Sequence, residues 1–317
     1  VVVFIHEYGH YYFAKKYGVG VTDFSIGFGK EIFGWNDKSG TRWKVCLIPL
    51  GGYVKFFGDR NVYSQADHQE MLDKYNEEER QKLFVLKPLY QRAIIVAAGP
   101  IANFILAIFI FLFMYMSVGK DFTPAVIDEV QIDSPAMSAG FKKNDIILSI
   151  DGTSVNSILD VSKLITMSTG DDIEFILSRY DQEVNLKVIP NTIETVDNLG
   201  NKMNKRLIGI KLRPPNDEIN HQRLGPIKAL YYSLNEVYFV ASSSLNYLGS
   251  IIVGKGDSSQ LGGPIRIAKV SGQVAEFGIL PFINMMAYIS ISLGLINLFP
   301  IPLLDGGHLM FYGFEKI

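Results

Sequence analysis

The chain has 317 residues, with 30 Lys and Arg against 32 Asp and Glu, for a formal net charge of −2. Hydrophobic residues make up 48% of it, including 21 Phe and 16 Tyr, beside 20% charged residues, so the apolar excess must be gathered into blocks. No Lys/Arg cluster interleaves with aromatics, which argues against nucleic acid as a partner. The single cysteine, Cys46, excludes an intramolecular disulfide and any cysteine-rich metal site. A metal would fall to His, Asp or Glu.

VVVFI runs straight into His6-Glu7-Tyr8-Gly9-His10. Because a spanning helix needs about 20 apolar residues, residues 1–17 read as the end of a membrane helix that begins outside this sequence. Residues 18–91 form a polar loop in which DFSIGFGKEIFGW and RWKVCLIPLGGYVKFFG carry the alternation and glycines of short strands and turns. Their apolar tips, Ile26, Phe28, Ile32 and Phe33, are placed to dip into a bilayer. Residues 93–118 carry no charge, so 92–119 reads as a transmembrane helix. Lys15, Lys16, Lys30, Lys74, Arg80, Lys82, Lys87 and Arg92 all fall before it, which puts 18–91 in the cytoplasm and 120–225 outside.

From 121 to 190, four short strand candidates (PAVIDEV, DIILSIDG, DDIEFILSRY and EVNLKVIP) surround a short helix with Val161, Leu164 and Ile165 at helical spacing. That is an α+β module, and 191–228 reads as a linker. A third span is expected over 229–253, which holds one charge, Glu236. After a loop at 254–280, residues 281–317 form a fourth apolar segment, broken by Pro300 and Pro302. Irregular backbone at membrane depth survives only where protein or a wet cavity surrounds it, so the break marks a site candidate. The fold class is therefore a polytopic α-helical membrane protein of about four transmembrane helices with an inserted α+β domain.

HEYGH is an HExxH motif, which places two imidazoles four residues apart on one helix face, at a spacing one Zn²⁺ can bridge. Glu7 falls beside them, where it can take a proton from water. A third ligand is then required. His68 and His221 lie in polar stretches and read as solvated, whereas Asp305 follows the broken helix and is the only carboxylate between Glu276 and Glu315. Asn297 offers an amide suited to a substrate backbone or an oxyanion, and Asn103 reads as an interhelical hydrogen-bonding residue.

HEYGH, GFGKEIF, PLGGYVKFFGD, QRAIIVAAGPIANF, LGGPIRIAK and NLFPIPLLDGGH, in this order, closely resemble the site-2 protease family of intramembrane zinc metalloproteases, and among them the bacterial regulator of sigma-E protease branch. The resemblance implies one zinc ion held by His6, His10 and Asp305, with Glu7 as catalytic base. It also implies substrate handling by Asn297, Pro300 and Pro302, and a membrane-reentrant β-hairpin around Gly27 and Gly29. The 121–190 module, through SPAMSAGFKKNDIILSIDG, resembles a PDZ domain, with a peptide groove between strand 125–130 and helix 160–167. Asn144 stands where that turn often has Gly. The implied setting is a multi-pass protein of the bacterial inner membrane with its PDZ domain on the periplasmic side. Implied partners are the lipid bilayer, peptide ends, and single-span transmembrane substrates such as anti-sigma factors or remnant signal peptides. The rival is a catalytically inactive membrane scaffold that binds partners through its PDZ domain.

Overall fold

The structure is a computed structural model that describes residues 1–59, 74–168, 170–196, 202–215, 218–254 and 262–315. Helix α1 (Val2–Lys16) and strands β1 (Val21–Asn36) and β2 (Arg42–Phe56) lead into helix α2 (Leu89–Ser117). Strands β3 (Ala125–Val130) and β4 (Ile146–Ile150), helix α3 (Ile158–Met167), and strands β5 (Ile173–Arg179), β6 (Gln182–Val188), β7 (Asn191–Val196), β8 (Lys202–Leu207) and β9 (Ile210–Arg213) follow. Helices α4 (Pro226–Ile252), α5 (Pro264–Glu276), α6 (Ile279–Asn297) and α7 (Asp305–Glu315) close the chain. Two compact units result, Val1–Phe111 with Ile279–Ile317, and Leu112–Gly278.

In the first unit, α2 and α6 are the two helices among the described residues long and apolar enough to cross a membrane. They run antiparallel. Gly294 lies against Pro100 and Asn103, Ser290 Oγ donates to the Asn103 carbonyl at 2.9 Å, and the Phe111 and Tyr288 rings meet at 5.4 Å. Arg92 ties α7 to the start of α2, through Glu315 at 2.5 Å and the face of Tyr312. Between α1 and α2, β1 and β2 each fold back, so that four segments lie side by side in the order 52–56, 21–26, 42–45 and 33–36. Segment 52–56 is an edge, with Val21 opposite Phe56 and Ile26 opposite Gly52 on its paired side. Phe24 and Trp43 stack at 4.1 Å with Tyr11 of α1 against them. Asp37 locks this turn by accepting from Tyr11, Trp43, Ser39 and Thr41. Burial pushes its carboxyl up, but those four donors outweigh burial and hold it well below the usual carboxylate range. Of the expected tips, Ile32 and Phe33 are exposed.

The second unit is built on a sheet of order β9-β3-β4-β5-β6, with Ile127, Ile147, Ile150, Phe175 and Leu177 buried beneath α3. Ser157 and Asp160 cap α3 reciprocally, and Val161, Leu164 and Ile165 are its buried face. Asn144 takes φ 70°, the left-handed conformation Asn tolerates. Asp145, almost wholly buried, receives Arg179 through Nε at 2.8 Å and Nη2 at 2.7 Å, and the Lys142 amide at 2.8 Å.

Three expectations change here. The 191–228 stretch is no linker, because Asn191 to Val196 pairs with Leu207 to Lys202 as a hairpin and β9 joins the sheet. Its alternation is masked in sequence by charge, since both faces of the hairpin are solvated. Strand 125–130 is flanked on both sides, by β9 and β4, so among the described residues the terminal strands of this sheet are β9 and β6. The 229–252 stretch lies in α4, which is not one of the two helices among the described residues long and apolar enough to cross a membrane. Glu236 on α4 pairs with Lys163 of α3, and Phe239 packs on the α+β core.

Replacing Arg179 by Met leaves the Asp145 carboxylate buried without its partner, so it should cost the second unit about 3–5 kcal/mol. The check is the thermal unfolding midpoint of full-length protein.

Candidate metal centre

His6 and His10 sit one turn apart on α1, and both are buried. They can be there because α1 and α2 touch backbone to backbone. A Cβ on Gly9 would stand 2.4 Å from the Ala98 carbonyl oxygen, and one on Gly99 would stand 2.2 Å from His10 Nε2. His10 Nδ1 donates to the Ile95 carbonyl at 2.9 Å. Pro100, inside α2, leaves the Val96 carbonyl without its usual donor four residues on.

Asp305 arrives from the other end of the chain. After Asn297 the prolines end α6, and Leu303 enters the left-handed region at φ 77°. The turn then folds back so closely that a Cβ on Gly306 would meet the Leu298 carbonyl oxygen at 2.2 Å, and one on Gly307 the Ile301 oxygen at 2.4 Å. Asp305 Oδ2 thereby comes 3.2 Å from His6 Nε2 and 3.5 Å from His10 Nε2, and the two Nε2 atoms are 3.3 Å apart. Three corners of a tetrahedron with bonds of about 2.0–2.1 Å stand about 3.3 Å apart. Oδ2 is buried and, despite the short contacts, has no partner in hydrogen-bond geometry. Three acceptors turned on one point, one of them orphaned, are what a divalent cation satisfies.

The cluster opens on a cavity of about 450 Å³ that Glu7, Asn297, His308, Phe28, Gly51 and Gly52 help to line. Asn297 Nδ2 stands 3.3 Å from His6 Nε2, so the structure brings Asn297 to the cluster. Pro300 and Pro302 are exposed and line no part of the cavity; their place is the turn that delivers Asp305. Gly27 is buried against the Ile48 carbonyl and Gly29 is exposed, both at φ +86°. Neither lines the cavity; Phe28 between them does. His221 is exposed, as expected of a solvated residue, and His68 lies outside the described residues.

The motif residues Gly51, Gly52 and Gly99 carry site roles that the sequence reading did not assign. A Cβ on Gly52 would meet Glu7 Cγ and Val3 Cγ1 at 3.0 Å and the Ser25 carbonyl oxygen at 2.7 Å. Only glycine lets the β2 edge lie against the HExxH helix. The paired glycines of PLGG and the AGP of α2 were the available signal. Asp59, also on the cavity wall, is pushed up to about 6 by burial, against the pull of the Phe56 amide and Lys55.

The profile described as Peptidase family M50 matches residues 1–317. The chain belongs to this family. A relative from Agrobacterium fabrum is 42% identical over 317 residues, covering all of this chain and 84% of its own length. Another from Mesorhizobium japonicum is 41% identical over 320 residues, covering 100% of this chain and 86% of its own. Both carry a zinc-metalloprotease designation in their names. The metalloprotease MmpA of Caulobacter vibrioides is 34% identical over 338 residues, with 100% and 84% covered. Among solved structures, the PDZ domain of an SdrC-like protein from Listeria monocytogenes is similar at 22% identity, over 28% of this chain and 85% of that one, with a TM-score of 0.23. The M50 chain described here is a metalloprotease that uses zinc, and a membrane protein with two apolar helices.

Two outcomes are expected. Gly99→Ala suits a helix but drives His10 from its seat, so zinc affinity, read by chelator competition, should fall about tenfold or more. The raised pKa of Asp59 means that the folded protein holds this proton more tightly than the unfolded chain. Its contribution is full below about pH 4 and is lost as pH rises through about 6. Asp59→Asn should therefore raise the unfolding midpoint at pH 8 relative to wild type and leave it little changed at pH 4.

Proposed function

We propose that this M50 protease cuts peptide bonds within or near the membrane-spanning segments of single-span proteins, using one zinc ion held by His6, His10 and Asp305. The observation that carries this reading is the triangle of ligating atoms, 3.2–3.5 Å on a side, set in an apolar helical unit with Glu7 on the same cavity. Zinc bound there supplies Lewis acidity for hydrolysis. Glu7, buried beside it, takes the proton of the attacking water and passes it to the leaving amine. The Asn297 amide donates to the oxygen on which charge develops.

A helical substrate hides its carbonyls in its own hydrogen bonds, and the 52–56 edge offers replacement partners for an unwound strand beside Glu7. The antiparallel course of α2 and α6 supports a topology in which both ends of the 112–278 unit lie on one side of the bilayer. The chain between them must then cross an even number of times, and α5, at 13 residues, is about 20 Å long and too short to span. Helix α4 therefore stays on that side with the α+β module. The basic residues before α2 support placing that unit on the periplasmic face of a bacterial inner membrane, with α1, α2, α6 and α7 in the spans. In this multi-pass arrangement, the PDZ-like module takes peptide ends along β9 and filters out substrates not yet trimmed outside. Anti-sigma factors and remnant signal peptides fit that description.

The test is cleavage of a model transmembrane substrate, with zinc content, by purified full-length protein. Glu7→Gln should keep zinc and lose cleavage by about 10³-fold or more, whereas Asp305→Ala should lose both. A wild-type protein that holds no zinc and cuts nothing while still binding peptides would establish the scaffold instead.

A further inference from the structure

His6 and His10 reach the centre of the cluster through the same ring atom, Nε2, but their other ring nitrogens are held by different chemistry. A neutral imidazole offers a lone pair on one nitrogen only while its proton sits on the other. His10 Nδ1 faces a main-chain carbonyl, Ile95 O, at 2.9 Å. A carbonyl can only accept, so the His10 proton stays on Nδ1 and Nε2 keeps its lone pair. His6 Nδ1 faces the side-chain amide of Asn103, 3.3 Å from Nδ2. An amide donates at one end and accepts at the other, so it can serve either tautomer.

Asn103 is wholly buried, and its Oδ1 has no hydrogen-bond partner among the described residues. With Nδ2 turned to the ring, the His6 proton is left on Nε2, the nitrogen that lies 3.2 Å from Asp305 Oδ2 and 3.3 Å from Asn297 Nδ2. That arrangement suits an empty cluster and blocks a ligand. A half-turn of the amide exchanges its oxygen and nitrogen without changing its shape, and it sets the orphaned acceptor against Nδ1. We propose that Asn103 is the positioning residue of His6. Its amide oxygen holds the ring proton on Nδ1 and so turns the Nε2 lone pair toward the metal. The inference rests on the reading of His6 as a zinc ligand. Helix α6 keeps the amide in place, through Ser290 Oγ on the Asn103 carbonyl at 2.9 Å and through Gly294, where a Cβ would stand 3.3 Å from Asn103 Cβ.

The test uses full-length protein in detergent micelles. Zinc affinity is measured by chelator competition, and the ligand-field spectrum is recorded with Co²⁺ at saturation, for wild type, Asn103→Leu, Asn103→Asp and His6→Ala. Asn103→Leu keeps the volume and removes the acceptor, so it should weaken zinc about 10–100-fold and shift the Co²⁺ band. Asn103→Asp, which only accepts, should restore both; a mere change of charge would leave the band shifted. Wild-type affinity in Asn103→Leu overturns the proposal, because the Gly99 carbonyl that also faces the His6 ring would then suffice. An Asp variant as impaired as the Leu variant overturns it in favour of packing. Undiminished zinc in His6→Ala, or none in wild type, overturns the ligand reading itself and this inference with it.

Discussion

Everything in the first unit serves one contact: a carboxylate oxygen from residue 305 held 3.2 and 3.5 Å from two imidazole nitrogens of residues 6 and 10. Three electron-rich atoms at that range repel one another unless a proton or a cation lies between them. The protein must therefore spend packing energy to assemble them, and it does so with backbone. Gly9 and Gly99 bring α1 and α2 close enough that a helix side chain, His10, fills the space a Cβ would take. Gly306 and Gly307 do the same for the turn that delivers Asp305. Between membrane helices, where no hydrophobic drive operates, such small-residue approaches are the main source of cohesion. The residues that hold the helices together are thus the residues that place the ligands.

The strand edge follows from the same constraint. Gly52 lets 52–56 lie against Glu7 and Val3, so the main chain that could receive an extended peptide and the carboxylate that would act on it share one wall. The sheet behind that edge is anchored to α1 through Tyr11 and Asp37, which ties its position to the HExxH helix.

Much of this was legible in the sequence, and for physical reasons. HExxH is local, and its spacing on a helix fixes the geometry of two candidate ligands. Asp305 was legible by isolation, as a lone carboxylate after a proline break in an apolar stretch. The charge-free run of α2 was legible as a helix long and apolar enough to cross a membrane. Long-range pairing was not legible. The 191–207 hairpin hides its alternation among solvated charges, and β9 joins β3 from 80 or more residues away, so the pairing that flanks strand 125–130 on its second side could not be read from the sequence. Helix α4 is the ambiguous case, because amphipathic packing on an α+β core and a weak membrane span share a composition; in the structure Glu236 pairs with Lys163 and Phe239 packs on that core. Pro300 and Pro302 shape the turn without touching the cavity, a distinction that needs coordinates.

The end of α1 sets one more property, the depth of the chemistry. Lys15 and Lys16 occupy its last turn, where their ammonium groups belong at the lipid headgroups. At about 1.5 Å per residue, His10 lies only about 9 Å below Lys16 along the helix axis. Arg92, three residues before Ile95, gives α2 a similar marker, about 4.5 Å along its axis. Hydrolysis consumes water, which the middle of a bilayer cannot supply. In the proposed membrane arrangement, a cluster this near the basic end of α1 would draw its water from the adjacent aqueous side through a short path, with the apolar length of α2 and α6 lying beyond it.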